Sequence, residues 1–171
     1  MVKRRLSAAT IAAQAGGYID QASGGVVPPI QPSTTFVRDR AYVPHASGNI
    51  YARDDSDTVR VAENILAQLD AAKVALLFPS GMAAIAAVFR ALPTGATVLL
   101  QAQIYWGTTK WVREFCSRRG MVLVEADLSK PENMDKLCAS HEPDLVFIET
   151  PSNPWLRSTD IAHAANKVHD V

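Results

Sequence analysis

The chain has 171 residues, 48% of them hydrophobic and 20% charged, which suits one domain with a sizeable core. Its 17 basic and 17 acidic residues give a formal net charge of +0, so a basic nucleic-acid surface is not expected and no nucleic-acid partner is predicted. No apolar run reaches the length of a membrane span, and the basic start Met1-Val2-Lys3-Arg4-Arg5-Leu6 lacks the apolar stretch of a secretory leader, so neither membrane insertion nor secretion is expected. The 2 cysteines, Cys116 and Cys138, stand far apart, which removes support for a disulfide scaffold or a cysteine zinc site and fits a reducing cytoplasm.

Residues 7–15 read as one short helix. Beyond them Gly16-Gly17, Gly24-Gly25, Pro28-Pro29, Pro32, Pro44 and Gly48 break any regular period. The same stretch carries Ile30, Phe36, Tyr42 and Tyr51 and is not highly charged. Residues 1–56 are therefore expected to form an arm that orders by packing on a partner subunit, in preference to a floppy leader.

From residue 57 the pattern changes. Ala62, Ile65, Leu66 and Leu69 make one apolar helix face, and Val74-Ala75-Leu76-Leu77-Phe78 reads as a buried strand. Ser80-Gly81-Met82 opens a helix bearing Met82, Ile85, Phe89 and Leu92, stopped by Pro93. Val98-Leu99-Leu100 is the next strand. Trp111, Val112 and Phe115 mark a helix ending at Arg118-Arg119-Gly120, where the bases suit the helix dipole and Gly the left-handed cap. Val122-Leu123-Val124 is a third strand. Ser129-Lys130-Pro131-Glu132 has the form of a capping box for a helix with Met134 and Leu137. Leu145-Val146-Phe147-Ile148 is a fourth strand, and Ser158 or Thr159 is expected to cap a last helix carrying Ile161, Ala164, Ala165 and Val168. Continuous apolar strands alternating with helices predict an α/β fold with a mostly parallel sheet covered on both faces, over residues 57–171.

Ligands of open α/β sheets sit beyond the carboxyl ends of the strands. Pro79-Ser80-Gly81-Met82-Ala83-Ala84 puts small residues at a helix start, either an anion site suited to phosphate or a plain turn with a Ser cap. Neither a dinucleotide fingerprint nor a P-loop is present. Tyr105-Trp106-Gly107-Thr108 offers rings for stacking on a flat group, or two partly buried core aromatics. Glu149-Thr150-Pro151-Ser152-Asn153-Pro154 is a polar turn between prolines, fit for a site or for structure alone. Tyr51-Ala52-Arg53 sets a phenol and a phosphate-binding guanidinium in the arm, beside Asp54, Asp55 and Asp57, which read as a solvated turn and cap. His45, His141, His163 and His169 lack metal spacing, His163 and His169 read as surface residues, and Cys116 and Cys138 read as buried helix residues; no metal site is predicted.

In combination, Pro28-Pro29-Ile30 with Ser33-Thr34-Thr35-Phe36, Tyr51-x-Arg53, Ser80-Gly81-Met82-Ala83-Ala84, Tyr105-x-Gly107-Thr108 and Phe147-Ile148-Glu149-Thr150-Pro151-Ser152-Asn153-Pro154 resemble one family. It is the cysteine/methionine metabolism family of pyridoxal-phosphate enzymes, which includes cystathionine γ-synthase, cystathionine β- and γ-lyases, methionine γ-lyase and the homoserine sulfhydrylases. The resemblance runs from about Ala13 to the end, and the block Glu149–Pro154 is its most specific part, arguing against an aminotransferase branch. It implies a fold-type I large domain, pyridoxal 5'-phosphate as cofactor, and a sulfur amino acid or activated homoserine as substrate. It also implies a homodimer, usually paired into a homotetramer.

The resemblance further implies roles. Ser80, Gly81 and Met82 would hold the cofactor phosphate, the latter two by backbone N–H. Tyr105 would stack on the pyridine ring and assist the leaving group, Asn153 would lie near the ring's phenolic oxygen, and Tyr51 and Arg53 would reach a neighbouring subunit's cofactor phosphate. Ser56-Asp57 departs from the family's usual pair after Tyr-x-Arg, a change of cap only. The family's ring-nitrogen aspartate, its Schiff-base lysine in a Ser-x-Thr-Lys setting and its substrate-carboxylate arginine are all expected beyond Val171. None of Lys3, Lys73, Lys110, Lys130, Lys136 or Lys167 stands in a context that replaces the lysine. The expectation is a truncated transsulfuration-type enzyme, inactive alone; the alternative is a non-catalytic remnant that binds a full-length relative.

Overall fold

A computed structural model describes residues 6–169, with side chains through Val168; the basic start with Lys3, the side chain of His169, and Val171 lie outside the described residues. The chain divides into two units, Met1–Leu77 and Phe78–Val171.

In the first unit, Ser7 caps α1 (Ala8–Ala13) by accepting the Thr10 N–H, Gln14 closes the helix, and a 3-10 turn follows with Gly16 and Gly17 at positive φ of 67° and 83°. Two isolated antiparallel bridges, Thr35 with Tyr51 and Arg38 with Pro44, give the punctuated stretch its local order. The helix expected from residue 57 is α2 (Asp57–Leu69). Its predicted apolar face is only partly covered: Ala62 and Ile65 are half-buried, whereas Leu66 and Leu69 are exposed. Gln68 of α2 lies against Gly16, where an added Cβ would stand 2.4 Å from Gln68 Nε2. Near the helix start Asn49 is buried and donates to Asp57 Oδ2 at 2.8 Å, and Arg60 pairs with Asp55 at 3.2 Å and Asp57 at 2.9 Å. Of the aspartates read as a solvated turn and cap, Asp55 and Asp57 are thus held by Arg60.

The run Val74–Phe78 does not form the predicted strand. Apolar content alone does not make a strand, because each backbone group needs a laterally placed partner. No strand pairs with this run among the described residues; Leu77 N–H donates instead to Glu63 Oε1 at 2.8 Å.

The second unit is a parallel three-stranded sheet in the order β2-β1-β3, with β1 at Thr97–Gln101, β2 at Val122–Ala126 and β3 at Leu145–Phe147. Leu99 stands opposite Val124 on one side and Val146 on the other. The central strand is buried on both faces, as its unbroken apolar run requires. Val98 and Leu100 point into a core with Phe89 of α3 (Gly81–Ala91), Val112 and Cys116 of α4 (Trp106–Arg118), and Ile104 of the loop before α4. Leu99 points the other way, to Leu128, Met134, Cys138 and Ala164, supplied with α5 (Pro131–His141) and α6 (Ile161–His169). Phe89, fully buried, meets Trp111 edge-on at 5.9 Å and Phe147 at 5.7 Å. This is the partial α/β domain that the alternating pattern predicts. Burial pushes both cysteine thiols up.

Two caps differ from expectation. Ser129 does not cap α5: its hydroxyl donates to Asp127 Oδ1 at 2.5 Å, and Lys130 takes the cap position without a side-chain bond. The last helix is capped by neither Ser158 nor Thr159 but by Asp160, whose Oδ1 accepts the His163 N–H at 2.9 Å. Thr159 is instead buried, and its backbone N–H donates to Thr150 Oγ1 at 2.9 Å. His163, read as a surface residue, is half-buried and hydrogen-bonds Asp135 at 2.9 Å.

Candidate functional site

At the carboxyl end of the sheet, three segments of the second unit enclose a cavity of about 500 Å3. Ser80, Gly81, Met82 and Ile85 line it from the start of α3, Tyr105 and Thr108 from the start of α4, and Glu149, Pro151 and Asn153 from the turn after β3. Five of the seven predicted site residues are therefore brought together: Ser80, Gly81, Met82, Tyr105 and Asn153.

The α3 wall is an anion cradle. Ser80 takes extended backbone and its Oγ accepts the Ala83 N–H at 3.1 Å, which starts the helix. Gly81 and Met82 are then the first two helical residues, whose N–H groups have no intrahelical acceptor and stand at the positive end of the helix dipole. A Cβ built on Gly81 meets nothing within 4 Å, so the backbone is open to close approach. Met82 is held from below by the buried Thr108, whose hydroxyl lies 3.7 Å from its sulfur.

The α4 wall presents an aromatic face. Tyr105, the residue before the helix, lays its ring against Gly107, where a Cβ would come within 2.5 Å of the ring. Any larger residue at 107 displaces the ring, which is the physical reason for glycine in Tyr105-x-Gly107. Trp106 does not share this site: it turns to a separate cavity with Lys110 and Arg113. The pair read as one stacking surface is split between two cavities.

The third wall is tied to the second by one carboxylate. Glu149 Oε1 accepts the Tyr105 N–H at 3.2 Å and the Asn153 N–H at 2.7 Å. Sequence reading places Glu149 at a strand end but gives it no role, because its partner lies 44 residues away. The turn it closes has cis bonds at Thr150-Pro151 and Asn153-Pro154. Its exit is fixed by Arg157, which pairs with Asp127 at 2.7 Å and donates its backbone N–H to the buried Ser152 hydroxyl at 3.2 Å. The Ser129 hydroxyl first, then Arg157 and Lys130, hold the Asp127 carboxyl below the usual carboxylate range.

Tyr51 and Arg53 belong to the first unit. There the Arg53 guanidinium stacks 4.8 Å over the Tyr51 ring, and Ala52 N–H bonds Thr34 O at 2.9 Å. Arg53 is exposed. No group of acidic, histidine and cysteine side chains suited to a metal occurs among the described residues, and no helix there is long and apolar enough to cross a membrane.

Unpartnered helix N–H groups, an open glycine backbone, a flat ring and an amide around one cavity fit a phosphorylated aromatic cofactor such as pyridoxal 5'-phosphate. Comparison with known proteins leads to the same group. The family model described as Cys/Met metabolism PLP-dependent enzyme matches residues 9–171. The chain is 38% identical over 162 residues to cystathionine gamma-lyase of Sus scrofa, covering 94% of this chain and 39% of that protein. It is 37% identical to the enzyme of Homo sapiens over 147 residues, 86% of this chain and 36% of that one. The crystal structure of cystathionine gamma synthase from Xanthomonas oryzae pv. oryzae in complex with cystathionine matches 98% of this chain and 43% of its own, at 31% identity and a TM-score of 0.88. A cystathionine gamma-lyase from Micromonospora echinospora matches 96% and 43%, at 34% identity and a TM-score of 0.82. The chain thus spans about two fifths of the length of these relatives.

Proposed function

The chain belongs to the Cys/Met metabolism family of pyridoxal-phosphate-dependent enzymes, and on that premise we propose that its second unit carries the phosphate and ring-stacking walls of a transsulfuration-type active site. The substrate class is a sulfur amino acid or activated homoserine, and the reaction a C–S cleavage or a replacement at the γ-carbon. The observation that carries this reading is the convergence of the α3 N-terminus, Tyr105 and Asn153 on one cavity.

When bound, the cofactor supplies an electron sink for charge developing at the substrate's α-carbon. Gly81 and Met82 hold the phosphate through their N–H groups, with Ser80 shaping the turn. The Tyr105 ring orients the pyridine face, and its phenol moves a proton at the leaving group. Asn153 holds the ring oxygen by its amide. Tyr51 and Arg53 of the arm serve the phosphate in a neighbouring copy of the chain, within a homodimer or homotetramer. No lysine lines the cavity among the described residues, and we read the chain on its own as binding the cofactor without turning substrate over. The exposed apolar side chains Val27, Ile30 and Val37 of the first unit also suit a non-catalytic partner of a full-length relative.

Equilibrium dialysis of the purified chain against pyridoxal 5'-phosphate tests the site. Saturable binding is expected, roughly tenfold weaker in Tyr105→Ala through loss of ring stacking. Non-saturable uptake, or equal affinity of the variant, contradicts the assignment. Co-sedimentation of the chain with a full-length relative, without saturable cofactor uptake by the chain alone, would favour the partner reading.

A further inference from the structure

Glu149 is a half-buried carboxylate with an unusual set of partners. No lysine, arginine or histidine lines its cavity among the described residues. Its charge is met by two backbone amides, Tyr105 N–H at 3.2 Å and Asn153 N–H at 2.7 Å, both on Oε1, with Oε2 a further 3.4 Å from Tyr105 N. The first of these amides belongs to the residue just before α4, where the helix's positive end favours a negative charge. The second belongs to the turn after β3. Tyr105 and Asn153 therefore share one anchor, although they lie on segments that follow different strands.

Resting on the cofactor reading above, we propose that Glu149 is a positioning residue whose single carboxylate holds the ring-stacking Tyr105 and the amide-bearing Asn153 as one unit. Hydrogen bonds to an ionised acceptor are stronger and shorter than neutral ones, so this anchor fixes the spacing of the two walls across which a flat ring fits. Removing it releases both walls together. Among the described residues the Tyr105 phenol has no hydrogen-bond partner, so the ring is steered by its backbone, which Glu149 holds, and by the gap that Gly107 leaves.

The test compares the whole chain as wild type, Glu149→Ala and Glu149→Gln. Amide hydrogen exchange at Tyr105 and Asn153 is read without ligand, and pyridoxal 5'-phosphate affinity by equilibrium dialysis. In Glu149→Ala both amides should exchange roughly tenfold faster or more, and cofactor affinity should fall by a similar factor. Glu149→Gln keeps an acceptor oxygen of the same reach and should restore both readouts to within about threefold. Exchange that rises at only one amide, or rises at both with affinity unchanged, overturns the positioning role. A wild-type chain that takes up no cofactor, while both amides still respond to Glu149→Ala, overturns the cofactor reading instead and shows that the anchor is structural. Should Glu149→Ala lose helical circular dichroism, Glu149→Asp takes its place. Its carboxylate is one methylene too short to reach both amides, and the same outcomes apply.

Discussion

Gly107 illustrates how much a single missing methyl decides. Alanine there would set a Cβ 2.5 Å from Tyr105 Cε1 and 2.9 Å from Cζ, so the ring must swing away. The backbone itself gains, since alanine in a helix is favoured over glycine by roughly 0.5–1 kcal/mol. Gly107→Ala is thus expected to leave the thermal midpoint unchanged or slightly raised while weakening pyridoxal 5'-phosphate binding roughly tenfold, the loss of a stacked ring. Calorimetry and dialysis on the same sample separate the two effects. Lower stability with unchanged affinity would mean that the ring's resting place does not matter to the ligand. At this scale the sequence shows the glycine and the tyrosine as neighbours, yet the close packing that makes glycine necessary appears only with the side chains in place. Glu149 is a sharper case: its residue type and strand-end position are readable, but its bond to Tyr105 spans 44 residues and leaves no local mark.

Helices follow from local signals when the capping side chain has no better offer. Ser80 caps α3 as expected because its hydroxyl has no competing partner. Ser129 stands in an equally good capping box, but Asp127 is close enough to take its hydroxyl at 2.5 Å, and a carboxylate is the stronger acceptor. At α6 the choice among Ser158, Thr159 and Asp160 is settled by burial, since Thr159 is drawn under the turn and Asp160 is left at the helix start. Asp160→Ala should cost about 1 kcal/mol in urea unfolding and speed exchange of the His163 amide, whereas Ser158→Ala should cost close to nothing. The reverse ranking would restore the cap read from the sequence. The same contrast applies to strands. Val98–Leu100 is a strand because Val122–Ala126 and Leu145–Phe147 flank it, whereas the equally apolar Val74–Phe78 has no flanking strand among the described residues.

The alternation of apolar runs and helices makes the α/β class of the whole molecule legible, because one strand buried on both faces needs helices on both. What periodicity cannot supply is the lateral partner of an extended run, and that gap bears on how the chain behaves in solution. Val74 and Leu76 remain 70% and 68% exposed on an unpaired extended backbone. Apart from the Leu77 N–H, which Glu63 takes, this backbone has no strand partner among the described residues and lies beside exposed apolar side chains, the combination that recruits another chain. Earlier in the same unit, Val27 is 76% and Ile30 82% exposed. Sedimentation velocity across a concentration series is therefore expected to show species larger than one chain. Val74→Lys with Leu76→Lys places charges along the extended run, the device by which edge strands resist pairing, and should shift the distribution toward monomer. Ile30→Asp tests the arm separately. If association runs through the arm alone, Ile30→Asp dissolves it and the double lysine variant does not. If it runs through the unpaired segment, the order reverses. A wild-type chain that sediments as a monomer throughout, with one cooperative unfolding transition, would show that these surfaces are tolerated in water and would remove the physical basis for a second copy at the arm.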